Sequence, residues 1–373
     1  MKKTIYKYIF YEFVRYFTIT LFALAAIVWA VQAVNFLDLV TEDGHAFAVY
    51  FLYSLLTLSK IFTKLVPFSF MIAAVLTILK LEKDNELIAL WTSGLNKIFI
   101  VNHLIRISLL IMFLQLVLTV AVNPKLLNFS RSLLKNSELQ FIPSLLKVKT
   151  FNDTVEGLTI FVESKNTNGE YKNIFIRDDG NALTQISSFS STIFAKSGYI
   201  NESSKKLILK NGNIQKINES GHVNIVKFDK TEINISGLST KSVSKPKLQE
   251  TSTINILQCL QSKNIFMDNC EYKDEKKDVK IEINKRFGMP IFIPLIALIS
   301  CFVLTSRKEE KNSKLRNHMF FILCFILLII AEISVRYSGI SFKYTLLYYF
   351  MPVGLLPIIY FFLIRTFKFE NLN

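Results

Sequence analysis

The chain has 373 residues, 51% of them hydrophobic and 33 of them Phe, an apolar content above that of an ordinary soluble two-domain protein and suited to membrane insertion. A formal net charge of +15 does not indicate nucleic-acid binding, because Lys and Arg gather beside the apolar tracts or mix with acids in the polar middle. The apolar residues form two blocks, residues 9–124 and 287–367, which predicts membrane, soluble domain, membrane.

A membrane-spanning helix needs about 20 apolar residues to cross a hydrocarbon core roughly 30 Å thick. Tyr16 to Leu37 meets this first. It is too long for a signal peptide and lacks a small-residue cleavage site, so it is expected to remain as an anchor. Ala46 to Leu79 is interrupted by Lys60 and Lys64 and reads as an interfacial lead-in helix followed by a span through Pro67. Ile107 to Asn123 is the third span. The fourth, Phe287 to Ser306, carries Pro290 and Pro294, tolerated in a membrane when neighbours satisfy the freed carbonyls. Met319 to Val335, with Glu332 inside it, and Tyr344 to Ile364 complete the set.

Basic residues cluster at the amino terminus (Lys2, Lys3, Lys7, Arg15), in the second and fourth connections and in the tail, whereas the first connection, "DLVTEDGH", has none. The positive-inside rule then predicts both termini in the cytoplasm and the long middle domain outside, in the periplasm of a bacterium.

Between residues 125 and 284 the pattern becomes alternating: "LTIFVES", "YKNIFIRDDG", "STIFAKSGYI", "KKLILKNGNIQKI" and "HVNIVKFDKTEINI". Ile, Phe, Val and Thr at every second position, separated by Asn-, Asp- and Gly-rich stretches, predict an all-β sandwich or open roll with one buried face. The stretch 251–263 reads as a short helix closing the sheet, and the spacing of Cys259 and Cys270 does not by itself decide whether they are bridged. No His, Cys or acid cluster has metal or catalytic spacing. GxxxxGK[ST], GxSxG and HExxH are all absent and the four His are scattered, so no catalytic residue, metal site or cofactor is expected on this chain.

Most of the functional signal lies in "KLEKDNELIALWTSGLNK", residues 80–97. Glu82, Asp84 and Glu86 complement a helix amino terminus, Asp84 or Asn85 can cap it, and Gly94 can end it. Leu87, Leu90 and Trp91 fall at i, i+3 and i+4, with Ile88 at the stripe's edge. Such a stripe can lie on lipid or in a partner's groove; the acidic head favours the groove, since interfacial helices usually present Lys and Arg to anionic lipid.

Here the chain resembles a known family. "LEKDNELIALWTSGLNK" resembles the "DSEL.AL.ASG.S" segment of the lipopolysaccharide-export permeases LptF/LptG, "YKYIFYEFVRYF" resembles their "RYL.RE", and "LVPFSFMIAAVLTILKL" resembles "LPLALLLGVLLALGRL". The stretch "IEINKRF", residues 281–287, is closer to the LptF branch than to the LptG branch. The resemblance implies six transmembrane helices in a 3+3 arrangement around an inserted periplasmic β-jellyroll-like domain: residues 1–124 with an ATPase-coupling helix at 82–95, 125–284, and 285–373. It also implies an ABC-transporter permease subunit in the inner membrane with no nucleotide-binding site of its own. Its partners would be a second six-span subunit (LptG-like), a cytoplasmic ATPase dimer (LptB-like) that uses ATP, a singly anchored LptC-like bridge protein, an LptA-like protein and lipopolysaccharide. On this resemblance Glu86 matches the family's coupling-helix acid, with Asp84, Leu87, Leu90, Trp91 and Gly94 around it, although Trp91 departs from the small or basic residue usual there.

Lys60 and Lys64 share a helix face and are costly near hydrocarbon unless they snorkel or line a cavity. They are candidates, with Gln32 and Arg336, for contact with a lipid headgroup. The family's basic residues at the outer end of span one are replaced by Gln32, Asn35 and Asp38. Glu332 and Arg336 have i, i+4 spacing and are expected to pair. Two other readings fit the pattern: an ABC permease for another lipid, lipoprotein or peptide, or a membrane-anchored receptor with an external β domain.

Overall fold

Six helices of the computed structural model are long and apolar enough to cross a bilayer. The structure describes residues 2–41, 46–137, 146–153, 155, 157–166, 169–179, 190–201, 206–217, 222–234, 247–261, 270, 273–305 and 313–370. The chain begins with α1 (Lys2–Asn35), a short α2 (Asp38–Thr41), α3 (Phe47–Lys83), α4 (Glu86–Thr92) and α5 (Lys97–Val117). A π-helical turn, Leu118–Val122, carries α5 into α6 (Asn123–Ser137). Six strands follow: β1 (Phe151–Asn152), β2 (Leu158–Lys165), β3 (Tyr171–Asp178), β4 (Ser191–Asn201), β5 (Lys206–Ile217) and β6 (Val223–Asn234). After a 3₁₀ turn at Leu248–Glu250 come α7 (Thr253–Leu260), α8 (Lys273–Ser300), a 3₁₀ turn at Cys301–Thr305, α9 (Ser313–Ser338) and α10 (Phe342–Glu370).

The chain divides into two compact units. One holds Met1–Val31, Thr57–Asn128 and Lys247–Asn373; the other holds Gln32–Leu56 and Phe129–Pro246. α7 and α8 belong to the first unit, where Ile256 and Cys259 pack with Val279 and Ile283.

In the helical unit, α3 and α8 are the most buried of the spanning helices and α1 is the least. Phe13, Phe70, Met71, Phe292, Ile296 and Tyr348 fill the centre. The lead-in helix and separate span expected from residue 46 onward are corrected: α3 is one uninterrupted helix of 37 residues. Lys is a good helix former and its stem can run along apolar surface, so Lys60 and Lys64 do not break it. At 1.5 Å per residue such a helix outreaches a hydrocarbon core of about 30 Å. If its basic end at Lys80 and Lys83 marks one interface, the other falls near Lys60. A disulfide joins Cys259 to Cys270, and Ile256 and Cys259 of α7 pack with Val279 and Ile283 of α8.

The sheet is antiparallel throughout, in the order β1 to β6. Register follows the alternation. Ile160, Ile176, Ile193 and Ile214 lie in one cross-strand row on the buried face, while Phe151, Phe161, Phe175 and Phe194 form a row on the other. A one-residue slip would exchange the two rows, which is why the pairing is well specified. The Asn211-Gly212 pair, a turn signal in isolation, lies inside β5. Among the described strands β6 pairs with β5 alone and carries Lys227, Asp229, Lys230 and Glu232, charges that discourage edge-to-edge association. Hydrogen bonds from Lys206 and Lys230 hold the exposed Glu232 carboxyl below the usual range, so their support is present at neutral pH and fades as acidification protonates it.

Gly288 brings α8 against α10. A β-carbon there would lie 2.1 Å from Cε1 of the fully buried Tyr348. Gly288→Ala is expected to cost about 1–3 kcal/mol, whereas at Gly354 an added carbon meets only the Phe350 ring, at 3.4 Å, and Gly354→Ala should be near neutral. Thermal unfolding of the detergent-solubilised chain compares the two; equal midpoints would show that the first contact is not tight.

Candidate functional site

A cavity of about 250 Å³ opens within the helical unit, among α3, α5, the π-helical turn, α8 and α9. Two proline positions shape its wall. Pro67 has no N–H to give the carbonyl of Thr63 one turn earlier, and Pro290 leaves the carbonyl of Arg286 in the same state. Both are satisfied from one neighbour: Gln115 donates Nε2–H to Thr63 O at 3.1 Å, and Thr119 donates Oγ1–H to Arg286 O at 2.9 Å. Gln115 and Thr119 are four apart and therefore on one helix face. The π-helical turn is held in the same way, with Thr253 donating to Val120 O at 2.7 Å.

Six charged groups line the cavity: Lys60, Lys64, Lys285, Arg286, Glu282 and Glu332. Both acids are already paired. Glu282 accepts from Arg286 Nε at 2.9 Å and Glu332 from Lys285 Nζ at 2.5 Å. Arg286 further donates to the carbonyls of Thr251 and Leu248 and to Thr253 Oγ1. No ion pair joins Lys60 or Lys64 to an acid among the described residues, so the cavity carries an uncompensated positive charge. The expected Glu332–Arg336 pair is corrected: Lys285 reaches Glu332 from the facing helix, and Arg336 is exposed and outside the cavity lining. Gln32 belongs to the other unit, and residues of the helical unit alone build this cavity.

At the Lys80 end of α3 lies α4. It is shorter than the 82–95 expected, because α3 runs on through Lys83. Asn85 occupies the N-cap with φ 58° and makes no side-chain capping bond, and Asp84 precedes it. The carboxylate of Glu86 instead accepts from Tyr8 Oη at 2.8 Å. That hydroxyl accepts from Lys80, which also pairs with the buried Glu12 at 2.9 Å. The carboxyl end closes as expected for a glycine terminator: Gly94 has φ 84°, its N–H reaches Trp91 O and the N–H of Leu95 reaches Leu90 O.

The apolar stripe is turned in part toward the chain's own bundle. Leu87 is buried in the core cluster, and Leu90 and Trp91 pack against it, with Lys97 Nζ 4.8 Å from the Trp91 ring centre. A short helix joined to α3 and α5 on both sides turns its Leu87 edge into the bundle it leaves. The exposed side of α4 carries Ile88, Ala89 and Thr92.

Residues 7–366 match the family described as lipopolysaccharide export system permease LptF/LptG. The chain belongs to the LptF/LptG family. The match does not separate the two branches. The chain is also 27% identical over 239 residues to an uncharacterized protein of Rickettsia prowazekii (strain Madrid E), an alignment spanning 64% of each chain. The six helices long and apolar enough to cross a bilayer accord with a family described as export permeases.

For an LptF/LptG permease the sequence signal for the cavity was incomplete. Lys60 and Lys64 stood out as charges in an apolar tract; Gln115 and Thr119 did not, being ordinary polar residues of a span. The available clue was the pair of prolines, each demanding a donor to the carbonyl four residues earlier. Thr119→Val keeps the shape and removes the donor, and is expected to destabilise the chain by about 1–2 kcal/mol. Thermal midpoints in detergent test this, with Thr366→Val, an exposed hydroxyl that bonds within its own helix, as the comparison expected to change little.

Proposed function

We propose that this chain is the permease subunit of an ATP-driven exporter that draws lipopolysaccharide from the outer leaflet of the bacterial inner membrane and passes it to a periplasmic bridge. The observation that carries the reading is the cavity whose acids are both paired while Lys60 and Lys64 are left to attract an anion. Phosphate groups on lipid A supply that anion, and the apolar lining from Pro67, Phe68, Met289 and Leu328 suits the lipid beside it. Family membership supports the rest. The amino and carboxyl termini and α4 lie in the cytoplasm, the sheet lies in the periplasm, and the stretch "IEINKRF" within α8 favours the LptF branch.

In this reading the chain pairs with a second six-span, LptG-like subunit. A cytoplasmic ATPase dimer, LptB-like, hydrolyses ATP and docks on α4, while LptC-like and LptA-like proteins continue the periplasmic route. The docking face is the exposed side of α4 around Ile88. Glu86, Leu87, Leu90 and Trp91 set the helix's position, and Gly94 ends it.

Affinity purification from gently solubilised membranes should recover a second six-span permease and two ATPase copies. Ile88→Glu should lose the ATPase and keep the second permease. Lys60→Gln with Lys64→Gln should keep the whole complex but lower the apparent affinity for lipopolysaccharide in stimulated ATP hydrolysis by roughly tenfold. Recovery of the chain without an ATPase, or unchanged stimulation in the double variant, would overturn the corresponding part.

A further inference from the structure

The two ion pairs of the cavity differ in character. Arg286 is 3% exposed and its guanidinium is shared among Glu282, Thr253 and the carbonyls of Thr251 and Leu248. Moving it would leave several buried groups unsatisfied, so it is fixed structure. Lys285 and Glu332 keep 32% and 40% of their side-chain surface exposed while lining the same cavity. Among the described residues each is the other's ion-pair partner. A single half-exposed pair, without the further hydrogen bonds that fix Arg286, is held far less firmly and can exchange its partner for another anion.

We infer that Glu332 is a built-in counter-anion: it holds Lys285 while the cavity is empty, and a phosphate-bearing headgroup displaces it to join Lys285 to Lys60 and Lys64. This rests on the cavity being the lipid-headgroup site. Glu332 thereby limits affinity. A carrier must release what it binds, and three lysines with no internal competitor would hold a phosphate more tightly than transport allows. The exchange also has a mechanical consequence. Lys285 is on α8 and Glu332 on α9, so ligand binding removes a tie between these helices and favours conformations in which they separate.

The test uses the full-length chain with its copurifying subunits in neutral-lipid nanodiscs, and measures binding of bisphosphorylated lipid A and of dephosphorylated lipid A. Glu332→Gln should tighten binding of the phosphorylated lipid by roughly three- to tenfold and leave the dephosphorylated lipid unchanged. Adding Lys285→Gln should abolish the gain. Equal tightening for both lipids, or no tightening while Lys60→Gln still weakens binding, would overturn the counter-anion role and leave the headgroup site standing. Wild-type binding indifferent to phosphate and to Lys60 and Lys64 would instead remove the headgroup site, and this inference with it. If Glu332→Gln does not purify intact, Glu332→Asp, with its shorter reach, should tighten binding to a smaller degree; unchanged affinity would then overturn the role.

Discussion

Two backbone carbonyls without helical donors govern the buried half of this protein. In lipid each would cost several kcal/mol if left alone. The carbonyl of Thr63 is orphaned by Pro67 and that of Arg286 by Pro290, and Gln115 and Thr119 answer both from a single face of the third spanning segment. This fixes how α3, α5 and α8 approach one another. It also brings charged residues near both prolines, Lys60 and Lys64 on α3 and Glu282, Lys285 and Arg286 on α8, to one cavity. The prolines that free these carbonyls and the polar groups beside them are thus one arrangement.

Charge then has two uses in the same small volume. Arg286 works as structure: a planar guanidinium with fixed donors can fasten the 3₁₀ turn and the start of α7 to α8 at once. The disulfide between Cys259 and Cys270 secures α7 a second time. The lysines are point charges on flexible stems, suited to meeting a ligand and letting it go. The same contrast recurs at α4, where Lys80, Tyr8, Glu12 and Glu86 tie α1, α3 and α4 together, so that a force applied to α4 reaches the first spanning helix as well as the second.

The strand segments were legible almost residue by residue, because in an antiparallel sheet with one buried face local alternation and tertiary burial carry the same information. The six spans were legible for a similar reason, since hydrocarbon thickness imposes a length on composition. The break expected in α3 at Lys60 was wrong because hydropathy registers a charge but not the direction of its stem. On α4 amphipathicity reveals that a face is to be covered, not what covers it: Leu87 is buried in the chain's own bundle, and Leu90 and Trp91 pack against it while partly exposed.

The sequence by itself determined the class of this protein: spans set by bilayer thickness, strands set by period-two alternation, and a family set by short motifs in a fixed order. The tertiary structure decided the site. Which carbonyl Gln115 satisfies, that Glu332 pairs with Lys285 across two helices rather than with Arg336 along one, and that Lys60 and Lys64 keep an unneutralised charge are relations between segments distant in the chain. Hydrogen bonds and ion pairs act over a few ångströms, and only folding brings such groups that close.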